Sequence, residues 1–344
     1  MGDVLVVGSG IAGMQASIDI ADFGHKVFLL EKDGELGGNL KNLSGISPAQ
    51  QDASSVVSAY SKEIKARRSI TVMKKTEILD FKGSFPKFSA SVKIPNGTKD
   101  LTVNAVVLAT GLQPYNPSSL NEYGYGRFKD VVTSTELERM LKNKQFFRPS
   151  DHQKPKSAVF IHCVGSRDRN VNAYCSDFCC NNVVKLAKMI KKEHPDVVIS
   201  TFFIDMRTPY MGEIEFRNAR RLGILFTRGK PARVREEDGA LTIEVEDTLE
   251  NDLVFVRSDL VVLSVGGVPD PTANSLSQAM KVNLSDSGFF EVDETTVGSD
   301  VKGIFVAGAA SGPKDTAYSV TQASCAAAKV DILLRTLVKE EDNG

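Results

Sequence analysis

The sequence has no tryptophan, almost no net charge and no long apolar run. Without Trp, and with 7 Tyr and 18 Phe in 344 residues, little is available for a surface that stacks nucleic-acid bases. A formal net charge of −1 gives no overall field for nucleic acid. No stretch approaches the ~18 apolar residues of a membrane span, so direct membrane insertion is not expected. The first residues lack the cationic region and cleavage site of a signal peptide. Val6 stands where a myristoylation motif needs Ser or Thr. A cytoplasmic protein is therefore expected. What remains is an ordinary globular composition, 42% hydrophobic and 25% charged, long enough for two domains and a large core without disulfides.

The strongest pattern is at the start. Asp3 to Val7 reads as a buried strand, Gly8-Ser9-Gly10-Ile11-Ala12-Gly13 as a turn, and Ile11 to Phe23 as a helix stopped by Gly24. A second strand, Lys26 to Leu30, ends in Glu31 and the following Lys32. Gly8 allows the tight turn, Gly10 lets backbone N–H groups approach a pyrophosphate, and Gly13 lets helix and strand close up. The helix start, with Ile11 and Ala12, offers free N–H groups and a partial positive charge. Glu31, 18 residues beyond Gly13, is placed to accept hydrogen bonds from ribose hydroxyls. Gly37-Gly38-Asn39 resembles the segment that runs along FAD in flavoproteins with two dinucleotide-binding domains. Ala109-Thr110-Gly111, closing the strand from Ala105, and Gly303 to Gly308 match the same superfamily in the same order. FAD is thus expected here in preference to NAD. Ala309 stands where many of those enzymes carry an Asp, so that contact is absent or replaced. The start of the late helix, Thr316 and Ala317, together with Lys314, is expected to face the flavin, where reduction places negative charge.

A second βαβ frame begins at Ser157 to His162, but no second glycine fingerprint follows. Instead four of the five cysteines, Cys163, Cys175, Cys179 and Cys180, fall in a C-x11-C-x3-C-C pattern within one expected loop. The following helix is expected from Asn181 to Glu193. Such a set can ligate a [4Fe–4S] cluster and lacks the paired CxxC units of structural zinc. Thiol–disulfide chemistry and plain burial are the competing readings. Cys325, on a small-residue helix face, reads as packing.

Cys163-Val164-Gly165-Ser166-Arg167-Asp168, then Tyr174-Cys175-Ser176 and Cys179-Cys180, resembles the A subunit of heterodisulfide reductase; so do Gly312-Pro313-Lys314-Asp315 and Gln322-Ala323. The resemblance covers nearly the whole chain. It implies an α/β protein with two dinucleotide-binding (Rossmann-like) domains, a thioredoxin-reductase-like flavoprotein core. It also implies FAD, a [4Fe–4S] cluster on the four cysteines, a catalytic Lys185 near the flavin, a homodimer and partner subunits. No Cys lies between Asn39 and Tyr60, and the chain ends shortly after the last helix, so the extra ferredoxin-type clusters of the longer methanogen form are not expected. The compact form resembles the A subunit of the heterodisulfide-reductase-like complex of sulfur oxidisers. Electron transfer between flavin, cluster and partner subunits is the expected role. The alternatives are an NAD(P)H-dependent disulfide reductase and the flavoprotein subunit of a quinone-interacting oxidoreductase complex. The expected FAD domain is discontinuous, residues 1–118 and 268–344, with an inserted NAD(P)H-domain-like domain at 119–267 carrying the cluster.

Overall fold

The computed structural model describes residues 1–48, 51–237 and 239–342; the last two residues of the expected FAD domain lie outside them. The chain forms two units. The first opens with β1 (Asp3–Val7), α1 (Ile11–Asp22) and β2 (Lys26–Glu31), then α2 (Ala53–Ala66), β3 (Ile70–Lys74), the meander β4 (Glu77–Ser84), β5 (Lys87–Ile94) and β6 (Gly97–Val103), and β7 (Ala105–Leu108). α1 stops because Gly24 takes a left-handed φ of 94° and its N–H turns back to Ala21 O at 3.0 Å.

After β8 (Leu112–Pro114), the second unit adds β9 (Val131–Thr133), α3 (Ser134–Lys142), β10 (Ser157–Val164), α4 (Cys179–Glu193), β11 (Val198–Phe203), α5 (Met211–Arg221) and β12 (Leu225–Arg228). The meander β13 (Pro231–Glu237), β14 (Ala240–Asp247) and β15 (Asp252–Ser258) follows, then β16 (Leu260–Val265). Thr133 and Glu136 form a reciprocal capping box at the start of α3. β17 (Gly267–Pro269) leads back to the first unit, which finishes with α6 (Ala273–Met280), β18 (Ile304–Val306) and α7 (Thr316–Asp342).

The first unit's main sheet has the order β18-β7-β1-β2-β3, and its strand pairings are all parallel. It is buried on both faces, which is why its strands read as unbroken apolar runs. In β1, Val4 and Val6 join a core with α1 and α7, including Ala323, Ala327 and Val330. Leu5 and Val7 point the other way, onto Phe81, Phe88 and Phe290. Each fully buried Val or Leu contributes about 1.5–3 kcal/mol. The second unit's parallel sheet has the order β12-β11-β10-β16-β9. In the first sheet the chain runs outward from β1 to β2 and β3 and later fills the other side with β7 and β18; in the second it runs outward from β10 to β11 and β12 and then places β16 on the other side, beside the earlier β9. Each sheet therefore has a switch point at the carboxyl end of β1 or β10, the usual seat of a ligand in open α/β sheets.

The division differs from the expected one in two places. The first crossing falls at Gln113–Pro114, and Asn42–Asp52 belongs to the second unit although both its flanks belong to the first. Among the described residues no helix is long and apolar enough to cross a membrane.

Candidate functional site

In the first unit the turn after β1 is built as its glycines require. Gly8 has φ 102° and its N–H donates to Leu30 O at 2.9 Å. A Cβ on Gly13 would stand 1.8 Å from Gly8 O, whereas one on Gly10 would meet nothing within 4 Å. Gly13 is thus demanded by the fold, and Gly10 leaves open space beside the helix start. The 37–38 segment closes on this turn: Gly37 N–H donates to Ser9 O at 2.9 Å, and a Cβ on Gly38 would lie 2.9 Å from Gly10 Cα. From the far side of the sheet Gly308 arrives with φ 67°, so close that a Cβ would sit 2.6 Å from that of Ala12. Asn39 Nδ2 donates to Leu112 O at 2.7 Å. The buried Thr110 Oγ1 has no partner, a polar group left for something the protein does not supply.

Glu31 is buried. Its carboxylate accepts from Ser9 N–H at 3.1 Å, from Ser9 Oγ, and from Asp33 N–H at 2.7 Å, so the expected ribose acceptor also braces the phosphate turn. Lys32 turns to Asp270, 2.8 Å away. Burial pushes the Asp270 carboxyl up, but hydrogen bonds from Lys32, Thr272 and Gln113 outweigh it and hold it below the usual value. Ala309 and Thr316 are half-buried and Ala317 exposed. Lys314 Nζ donates to Ser311 Oγ at 2.9 Å. Asp315, which in the sequence figures only as part of the resemblance, caps α7 by accepting Tyr318 N–H at 2.8 Å.

In the second unit the four cysteines line one cavity of ≈ 270 Å³ including its open mouth. They do not come from one loop. Cys163 belongs to β10, Cys175 to the loop, and Cys179 and Cys180 to the first turn of α4, two residues earlier than the expected helix start. A register shift between β10 and β16 at Ile161/Val164 and a φ of 58° at Cys163 re-aim that side chain, the common use of a bulge beside a site. Phe178, before α4, supplies no side-chain cap, leaving the helix's positive end beside Cys179 and Cys180. Sequence reasoning did not assign the cavity's other walls: Ser166, Arg167, Asp177, Asp205 and Arg207. Their one signal is topological, since Asp205 and Arg207 follow the carboxyl end of β11, the parallel neighbour of β10.

Burial pushes all four thiols up: Cys163, with Arg167 pulling it back, Cys175, Cys179 most strongly, and Cys180 to about 11. The neighbouring His162 is buried with neither ring nitrogen partnered; burial drives its pKa down to about 3 and keeps it neutral. Among the described residues no group of three or more His, Cys, Asp or Glu side chains could hold a metal ion. The cysteines surround a space; they are not a set converging on one ion.

Lys185 does not line that cavity. It is 2% exposed, its Nζ donates to Gly45 O at 2.8 Å and it pairs with Glu138, 1% exposed. Glu138 also accepts from Ser44 N–H at 2.8 Å and from Ser44 Oγ. A lysine followed by Lys188 and Lys191 reads in sequence as one of a solvated row; burial against a carboxylate 47 residues away makes it a core ion pair.

A family model described as pyridine nucleotide-disulphide oxidoreductase matches residues 2–159. Among solved structures, Lactococcus lactis thioredoxin reductase superposes with a TM-score of 0.67 at 16% identity, covering 98% of this chain and 100% of that one. Fold and cradle together give an α/β architecture of two dinucleotide-binding domains like that of thioredoxin reductase, and its first part is similar to the pyridine nucleotide-disulphide oxidoreductases. Among curated relatives, the first of two iron-sulfur A subunits of the CoB–CoM heterodisulfide reductase of Methanopyrus kandleri is 30% identical over 98% of this chain and 66% of its own length. The A subunit of the H2:CoB-CoM heterodisulfide, ferredoxin reductase of Methanothermobacter marburgensis is 30% identical over 95% of this chain and 63% of its own. The chain is homologous to the A subunits of CoB–CoM heterodisulfide reductases in general and spans just under two thirds of their length.

Proposed function

We propose that this chain is an electron-transfer flavoprotein that works within a heterodisulfide-reductase-like complex, carrying FAD in its first unit and a [4Fe–4S] centre in its second. One observation carries the reading: four cysteines from a strand end, a loop and a helix start surround one cavity at the switch point of a dinucleotide-type sheet. A cubane takes its thiolates spread around it, one to each iron, whereas zinc draws its ligands together. The ring of sulfurs, the uncapped start of α4 and the two arginines in the wall suit a multiply negative group. FAD exchanges electrons in pairs and an iron–sulfur cubane singly, so a protein holding both converts one kind of traffic into the other.

The protein's own contribution is positional. Gly10 and the start of α1 offer N–H groups to a pyrophosphate, Gly38 and Gly308 let backbone close in, and Thr110 Oγ1 waits for a partner. Partner subunits, a homodimer and a role in sulfur oxidation, as in the compact sulfur-oxidiser form, follow from the resemblance. Anaerobically purified protein is expected to be yellow-brown with about four irons per flavin and an iron–sulfur EPR signal on reduction, and Cys179→Ser to lose it. Iron-free protein that cannot be reconstituted rejects the cluster.

The comparisons speak more directly for a second reading. The matching family model and the thioredoxin reductase fold favour a pyridine-nucleotide-linked disulfide reductase using a cysteine pair. Anaerobic bleaching of the flavin by NADPH, with no other protein present, would establish that reading and remove the first. Reduction only through partner subunits, with this chain as the flavoprotein subunit of a heterodisulfide-reductase-like or quinone-interacting complex, would do the opposite.

A further inference from the structure

Two residues in the wall of the cysteine cavity carry polar atoms that the fold leaves unused. Ser166 is 1% exposed; its N–H closes a turn onto Cys163 O at 3.1 Å, and its Oγ has no hydrogen-bond partner. Arg167 stands next to it in a left-handed conformation, φ 55°. Its N–H donates to Tyr174 O at 2.9 Å, and its Nη2 donates to Asp205 Oδ2 at 2.7 Å. Asp205 is itself 3.6 Å from Arg228, so the guanidinium is held from behind. Its Nη1 is buried and unpartnered, and Cys163 is close enough to feel its charge.

An unpartnered buried hydroxyl or guanidinium N–H is costly, on the order of 1–3 kcal/mol. Two on consecutive residues, both in the wall of a cavity that four cysteines share with Asp177, Asp205 and Arg207, point to an acceptor in that space. We propose that the Ser166 hydroxyl and Arg167 Nη1 donate hydrogen bonds to sulfur atoms of the cavity's iron–sulfur centre and set its reduction potential without holding it in place. This inference rests on the cluster reading above. Each electron added to such a centre places more negative charge on its sulfurs. A donor aimed at sulfur therefore stabilises the reduced form more than the oxidised form and raises the potential. Neither residue is a ligand, so losing either leaves the iron bound.

The test uses the full chain, purified anaerobically, as wild type, Ser166→Ala, Arg167→Gln and Arg167→Lys. Iron and flavin contents are measured, and the cluster midpoint is read by EPR-monitored titration. Expected are wild-type iron in every variant, a reduction constant at least tenfold lower in Arg167→Gln, about 59 mV for one electron, a smaller fall in Ser166→Ala, and Arg167→Lys between wild type and Arg167→Gln. A wild-type midpoint in an iron-replete Ser166→Ala or Arg167→Gln overturns the inference for that residue. Iron loss confined to the variants overturns it too, because the residues then hold the centre. Iron-free wild type instead overturns the cluster reading itself, and the inference with it.

Discussion

Replacing Lys185 by Met removes the cation from a pair whose side chains are 2% and 1% exposed. Glu138 would keep the two donors of Ser44 but lose its counter-charge, and Gly45 O would lose the donor now 2.8 Å away. Burial pushes the Lys185 ammonium toward neutrality and Glu138 pulls it back. Breaking a buried pair from one side costs about 3–5 kcal/mol. The surviving Ser44 donors place this one at the lower end, about 3 kcal/mol, or roughly 6–12 °C in melting temperature at ~2–4 °C per kcal/mol. Urea unfolding of the flavin-loaded chain, followed by far-UV circular dichroism, reads the loss directly. The double variant Lys185→Met/Glu138→Leu should recover most of it, since an apolar pair of similar volume often matches a buried ion pair. A single variant within about 1 kcal/mol of wild type, or a double variant no better than the single, would refute the reasoning. The same proteins address the catalytic role that the family resemblance assigns to Lys185. Unchanged stability with an altered flavin potential would mean that the lysine serves the flavin and is not a core strut.

Gly10→Ala and Gly13→Ala should part company. The first leaves the fold intact, its Cβ in open space, and weakens FAD binding by at least tenfold in a flavin titration. The second, with a Cβ 1.8 Å from a carbonyl oxygen, should lower the yield of folded protein whatever the flavin supply. Cys179→Ser should keep bound flavin and lose the iron signal, measured by iron analysis beside flavin absorbance. Asp270, held below its usual carboxyl value, contributes stability that is full above the unfolded value of about 3.9 and is lost as pH falls through the native one. Asp270→Asn should therefore flatten the fall of the urea midpoint below about pH 4, and an unchanged acid slope would remove the group from the account.

Much of the first unit was legible because its signals are local. The strand, turn and helix from Asp3 to Asp22 sit where the apolar run and glycine spacing place them, and the turn at Asn96-Gly97 joins β5 to β6 as its dipeptide suggests. The cysteine region was legible in composition only. Nothing in the residues around Cys163 announces a bulge, and an uncapped helix starting at Cys179 carries no start signal. The walls from Asp205 and Arg207 depend on β11 lying beside β10, a pairing no local window contains. The burial of Lys185 was hidden for the same reason, because its partner Glu138 lies 47 residues away and only burial distinguishes it from the lysines that follow.

By itself, then, the sequence determined where the opening strand, turn and helix lie, where a phosphate-binding turn forms, and that four sulfurs lie near one another along the chain. Those properties follow from side-chain periodicity and backbone freedom over a few residues. Only the tertiary structure decided that the sulfurs surround a cavity at a switch point, that unused donors of Ser166 and Arg167 line it, and that Lys185 is buried. Those properties depend on strand order and on which distant groups exclude water from one another, and such contacts are settled when the whole sheet closes.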